Sequence, residues 1–166
     1  FLLDAHSHLY RAYHAIPPLT SRSGFPTNAL HGFLTILNRI VKAHTPRYLA
    51  VLFDAPGPGF RADWYPQYKA NRPPMPDDLR VQVEKLKQIL DAMGVPRFEA
   101  PGFEADDLIA TLCARAAAEG LETWIVSADK DLMQLVGPRV RMLRYHRDQE
   151  EIVDEEGVKR RLGVAP

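Results

Sequence analysis

EADDLIATLCARAAAEGLETWIVSADKD, residues 104–131, is the stretch on which the fold turns. Its first half has helical period, with Leu108, Ile109 and Leu112 on one face and Gly120 placed to stop the helix. Residues 122–126 then read as a short apolar strand, and the chain leaves it through Ser127-Ala128-Asp129 with a further acid at Asp131. A helix that yields to a buried strand within a few residues is the repeating unit of an α/β domain with a largely parallel sheet.

The same unit recurs outward in both directions. Residues 1–3 read as a strand ending at Asp4, residues 48–53 as a strand ending at Asp54, residues 95–99 as a weaker strand before Glu104, and residues 140–143 as a fifth. Residues 28–43 carry Leu30, Phe33, Leu34, Leu37 and Val41 on one helical face, with Thr27 expected as the N-cap. Residues 77–93 repeat the pattern with Leu79, Val83, Leu86, Ile89, Leu90 and Met93, stopped by Gly94. There is no internal repeat and no low-complexity segment. The 166 residues suit one domain with a real core, and 46% apolar with 25% charged residues excludes a disordered tail. No apolar run reaches the length of a membrane span, so no membrane association is expected. The single cysteine, Cys113, excludes an internal disulfide framework and reads as buried packing on its helix. Phe1 already lies inside an apolar run, so the native start is expected upstream.

The charge is balanced, 21 bases against 21 acids, but it is segregated. Asp4, Asp54, Glu104, Asp106, Asp107, Asp129 and Asp131 all fall where a strand ends or a helix begins. Without those seven, 14 acids face 21 bases. In an open parallel sheet ligands sit beyond the carboxyl ends of the strands, so all seven acids could meet at one edge. Any single aspartate there is more often a turn or helix cap than a ligand. Seven together would raise one another's pKa, and hard divalent cations such as Mg²⁺ or Mn²⁺ would relieve the repulsion. An all-carboxylate set argues against zinc, which usually takes His or Cys. Two such ions about 4 Å apart are a standard device for phosphodiester hydrolysis.

Residues 55–76 have no clean apolar period and place Arg61, Lys69 and Arg72 among Phe60, Trp64, Tyr65 and Tyr68. Either a surface loop packs its rings on the core, or a clamp offers cations to phosphates and rings to unpaired bases.

Phe60-Arg61, Tyr68-Lys69-Ala70-Asn71-Arg72-Pro73-Pro74-Met75-Pro76, Gly102-Phe103-Glu104-Ala105-Asp106-Asp107 and Ser127-Ala128-Asp129-Lys130-Asp131 together resemble the bacterial 5′ nucleases. These are the 5′-3′ exonuclease domains of DNA polymerase I and their stand-alone relatives, kin to flap endonucleases. Leu3-Asp4-Ala5-His6 and Phe53-Asp54-Ala55 fit the same pattern, apart from Ala5 where a glycine is common. The resemblance covers essentially residues 1–166. It implies a PIN-like three-layer α/β/α fold with a mainly parallel central sheet, residues 55–76 forming a helical arch. It further implies cleavage of DNA at 5′ ends and 5′ flaps by two metal ions, Mg²⁺ or Mn²⁺, in replication and repair. The seven acids match the family's metal-binding set. Lys69 and Arg72 match residues that hold the scissile phosphate, with Tyr68 stacking nearby and Arg61 as a supporting phosphate contact, and Lys130 balances the charge of its neighbours. The family continues into a helix-hairpin-helix region that grips duplex DNA and supplies further aspartates; it is absent here, so a fragment is expected. A bacterial cytoplasmic, nucleoid-associated location and an attached polymerase domain in some parents are implied in the same way.

Three other readings compete with this one. Asp4-Ala5-His6-Ser7-His8 imitates the His-x-His signature of metal-dependent hydrolases of the amidohydrolase or phosphoesterase type, but the other histidines are scattered and a barrel would want about 250 residues. The chain could also be a catalytically incompetent fragment that binds nucleic acid, or a PIN-type ribonuclease. No residue here singles out a sugar 2′-hydroxyl.

Overall fold

The computed structural model describes every residue except 58, 72, 147 and 148. Strands β1 (Leu2–Asp4), β2 (Ala50–Leu52), β3 (Arg97–Phe98), β4 (Thr123–Val126), β5 (Val140–His146) and β6 (Gln149–Val153) form one sheet in the order β3-β2-β1-β4-β5-β6. All neighbours are parallel except β5 and β6. Helices α1 (Ala5–Ala15), α2 (Asn28–His44), α3 (Phe60–Trp64), α4 (Asp77–Met93), α5 (Ala105–Ala118) and α6 (Glu155–Leu162) and a 3₁₀ turn (Asp131–Leu135) complete it.

The layers follow from the period-two alternation of strands. Leu3, Val51, Val126 and Leu143 point into one core with α1, α2 and α4. Their neighbours Leu2, Leu52, Ile125 and Met142 point into the other with α5, the 3₁₀ turn and α6. The result is the expected three-layer α/β/α arrangement with a mainly parallel sheet. Cys113 is buried in the second core. No helix among the described residues is long and apolar enough to cross a membrane.

The chain starts in the middle of the sheet. It runs from β1 out to β2 and β3, then returns to β4 on the other side of β1. The carboxyl ends of β1 and β4 are therefore the topological switch point, where open α/β sheets place their ligands.

Three local features depart from or go beyond the sequence reading. Thr27 makes no side-chain cap for α2. Gln82, fully buried on α4, does this from a distance: its Oε1 accepts from the backbone N of Ala29 (2.9 Å) and Leu30 (3.1 Å). Its Nε2 donates to Asn28 Oδ1 (3.0 Å) and Asp78 O (3.1 Å), so every polar atom of the side chain is used. Second, β1 runs straight into α1 with no intervening loop, because Asp4 itself is the cap: Asp4 Oδ1 accepts from Ser7 N at 3.1 Å. Third, a sixth strand pairs antiparallel to β5, and its apolar Ile152 and Val153 are too few to announce it. Gly32 lets α1 and α2 cross closely, since a Cβ there would lie 2.4 Å from Ala12 Cβ.

Candidate metal centre

A cavity of about 540 Å³ opens at the switch point, and Asp4, Asp54, Glu104, Asp106 and Asp129 all line it. They come from four places in the chain: the ends of β1 and β2, the start of α5 and the turn after β4. Five of the seven acids singled out in the sequence are thus brought together.

Asp4 is buried, and its two oxygens are held from opposite sides. Oδ1 takes the Ser7 N–H, and Oδ2 takes the Ser127 hydroxyl at 2.8 Å. The same Ser127 Oγ accepts from Asp129 N at 3.0 Å, so one fully buried hydroxyl ties the ends of β1 and β4 together. Ser7 Oγ adds a second tie by accepting from Ala128 N at 3.1 Å. Asp54 Oδ1 accepts from Ala105 N at 2.8 Å and so anchors the first turn of α5. Asp54 N donates to His6 Nδ1 at 3.1 Å. Burial holds the pKa of His6 below its usual value, although Asp54, whose Oδ2 lies 3.5 Å from the ring, pulls the other way. Asp129 Oδ1 accepts from Asp131 N at 2.9 Å.

The electrostatics record the crowding. Burial, then Asp4, Asp129, Asp54 and Glu104, push the Asp106 carboxyl up to about 7. Burial raises Asp4 to about 6 even though its bonds to Ser7 and Ser127 pull the other way. Among the described residues no three of these groups close on one point. The five carboxylates offer only oxygen donors and are partly buried, which suits a hard divalent ion.

The other two acids are placed differently. Asp107 faces the arch, where Arg61 grips it through Nη2–Oδ1 (2.6 Å) and Nη1–Oδ2 (2.8 Å). Its Oδ2 also accepts from Glu104 N at 3.0 Å, and the bond to Arg61 holds its pKa below the carboxylate range. Asp131 is exposed on the 3₁₀ turn and lines a separate cavity with Lys130, Gln134, Val158 and Leu162.

Residues 55–76 are docked at their base. Phe60 N donates to Gly102 O (3.1 Å), and the Phe60 and Phe103 rings lie 5.5 Å apart. Lys69 Nζ donates to Glu104 Oε1 at 2.7 Å and the Tyr68 hydroxyl to Glu104 Oε2 at 3.2 Å, so Lys69 reaches the cavity wall. Lys69 has φ 55, a left-handed conformation that non-glycine residues adopt at a cost. Burial opposes its charge, but Glu104 and Tyr68 outweigh it and hold the Lys69 pKa above the usual lysine value. Arg61 is paired with Asp107, and Trp64 is exposed. Arg72 lies outside the described residues. His8 is buried with Nε2 3.0 Å from Val126 O, so it packs against the sheet and does not complete a His-x-His metal site with His6.

Ser7, Ser127 and Arg144 were not singled out by role in the sequence, although all three hold or line the site. For Ser127 a signal existed: a hydroxyl two residues before an acid at a strand end commonly accepts from that acid's N–H. For Ser7 and Arg144 there was none.

The family model for the 5′-3′ exonuclease N-terminal, resolvase-like domain matches residues 1–163. A 5′-3′ exonuclease of Aquifex aeolicus is 43% identical over 166 residues, covering 100% of this chain and 57% of the relative. DNA polymerase I of Pseudomonas aeruginosa is 45% identical over 165 residues, covering 99% of this chain and 18% of the relative. The chain therefore spans little more than half of one relative and under a fifth of the other. Among solved structures, the T5 5′-exonuclease with divalent metal ions (zinc) bound superposes with a TM-score of 0.71 at 21% identity, covering 98% of this chain and 60% of that one. The catalytic core of Rad2 in complex with a DNA substrate gives 0.57 at 18% identity over 99% of this chain and 50% of that one. These two likenesses concern the fold. With the sequence relatives and the family model, the chain belongs to the family of 5′-3′ exonuclease N-terminal, resolvase-like domains.

Proposed function

We propose that this domain hydrolyses phosphodiesters of DNA at 5′ ends and 5′ flaps, using two Mg²⁺ or Mn²⁺ ions, as part of replication and repair. The observation that carries the reading is the meeting of Asp4, Asp54, Glu104, Asp106 and Asp129 around one cavity at the switch point of the sheet. Bound there, divalent ions would supply an activated water and stabilise the charge developing on the phosphate. The chain's own residues do the rest. Ser127 and Ser7 fix Asp4 against the turn that carries Asp129, so that ligands from β1 and β4 keep one spacing. Asp54 fixes the start of α5, which presents Asp106. Asp131, exposed two residues beyond Asp129, is tied to it through its backbone N. Asp107 acts through Arg61, locking the base of the arch. Lys69 stays protonated and serves as a positive charge for the scissile phosphate rather than as an acid or base, with Arg72 as its partner.

Metal binding must displace the protons of Asp4 and Asp106, each worth about tenfold in apparent affinity per pH unit below its pKa. With these groups at about 6 and about 7, Mn²⁺ affinity rises most steeply below pH 6 and levels off above pH 7. Calorimetric titration at several pH values reads this directly. A flat profile contradicts a site built from these two groups.

The activity test is a labelled 5′-flap duplex with Mn²⁺. Cleavage that stops on adding EDTA supports the reading. Binding without cleavage, in this chain and in a longer one, makes the domain a binding module, and preference for an RNA flap makes it a ribonuclease.

A further inference from the structure

Arg144 sits on β5, three strands across the sheet from β2, which the arch follows, and lines the cavity together with Lys130. The sheet register sets Arg144 opposite Glu151 of β6. Glu151 is nevertheless taken by Arg161 of α6, in a hydrogen-bonded ion pair. Arg144 is left with a single long hydrogen bond, Nη2 to Ala128 O at 3.3 Å, and its buried Nε has no acceptor among the described residues. Its burial is opposed rather than helped by its surroundings. Desolvation, Arg161 and Arg11 all depress its pKa, and only Glu151 acts the other way. A half-buried guanidinium with unused donors, facing a cavity and flanked by like charges, is costly to keep unless an anion visits it.

We propose that Arg144, with Lys130 beside it, forms a second phosphate-binding wall across the acidic floor from Lys69. This rests on the nuclease reading and adds to it a contact on the β5 side. The arch follows β2, so Lys69 and Arg144 belong to opposite ends of the row β2-β1-β4-β5. Three strand spacings separate the outer members of that row, about 14 Å, which is the span of a few successive phosphates of one DNA strand. A strand laid across the cleft then meets a cation on each side of the carboxylates. Its backbone is held in the middle, where the acids alone would repel it. The ligand is the phosphodiester backbone, with no base readout, because arginine and lysine here meet the strand as charges and phosphate contacts carry no sequence information.

The test is fluorescence anisotropy of a 5′-flap duplex in EDTA between 50 and 200 mM KCl, with this chain and its Arg144→Gln, Arg144→Lys and Lys130→Gln variants. Losing one phosphate contact lowers the slope of log affinity against log salt by about 1. Arg144→Gln should show that loss and bind about tenfold more weakly at low salt, while Arg144→Lys keeps the slope. Lys130 is exposed, so Lys130→Gln folds normally and should show a smaller fall in slope even if Arg144→Gln proves unstable. Unchanged slopes in both neutral variants, with Mn²⁺-dependent cleavage intact, reject this wall and leave the nuclease reading standing. Failure of the unaltered chain both to bind the flap at 50 mM salt and to cleave it with Mn²⁺ rejects both.

Discussion

Asp106→Asn is expected to reduce flap cleavage by at least about a thousandfold while making the metal-free protein more stable. Asp106 accepts no hydrogen bond among the described residues and lines the cavity with four other acids, so nothing in the fold depends on its charge. Its carboxyl is raised to about 7 in the native state, against an ordinary value near 3.8. The native state therefore binds more protons than the unfolded chain between these two values. Stability from this group is present at low pH and lost as pH rises through that window. Asparagine removes the loss. After discounting for solvent screening, the gain is about 1–2 kcal/mol, or about 3–6 °C in Tm at pH 8, shrinking toward zero near pH 4. Asp107→Asn should do the reverse. It loses the charge and one accepting oxygen, so the two bonds from Arg61 and the one from Glu104 N cannot all be kept, and its Tm falls. Melting curves of both variants in EDTA across pH 4–8 check the pair. A lower Tm for Asp106→Asn at pH 8 would mean that its carboxylate supports the fold instead of burdening it.

Lys69→Ala is expected to slow cleavage by about a hundredfold at saturating DNA while weakening flap binding by less than about threefold. A single charge aimed at the reacting phosphate acts mainly on the transition state, whereas general anchoring would weaken ground state and transition state equally. The geometry favours the first. Lys69 reaches the cavity that the acids line, held by Glu104 at 2.7 Å, while the exposed part of the arch lies at Trp64 and Tyr65. Removing the ammonium also frees Glu104 Oε1, so Mn²⁺ should bind Lys69→Ala a few-fold more tightly. Single-turnover cleavage and anisotropy on the same variant separate the two effects. Equal losses in rate and affinity would make Lys69 a general phosphate anchor.

Much of the architecture was legible because it is written in period. The alternation of Leu2 with Leu3, or Ile125 with Val126, dictates which core each side chain enters, and the acids at strand ends mark the active edge. What the sequence concealed is long-range. Gln82 caps a helix more than fifty residues away, a bond that no local window contains. Asp107 and Asp129 look alike in sequence, yet one is claimed by Arg61 of the arch and the other by the turn after β4. The isolation of Arg144 depends on α6 taking Glu151, which two-strand pairing alone would have assigned to Arg144 itself. Local chemistry marks candidates; which neighbour reaches them first depends on packing.

The central claim is spatial: acids far apart along the chain share one cation site. Crystals soaked in Mn²⁺ and measured at the manganese absorption edge test it most directly. Anomalous density in the cavity bounded by Asp4, Asp54, Glu104, Asp106 and Asp129 is the predicted result. Density confined to other surface carboxylates, with that cavity featureless at millimolar Mn²⁺ and pH 8, would contradict it.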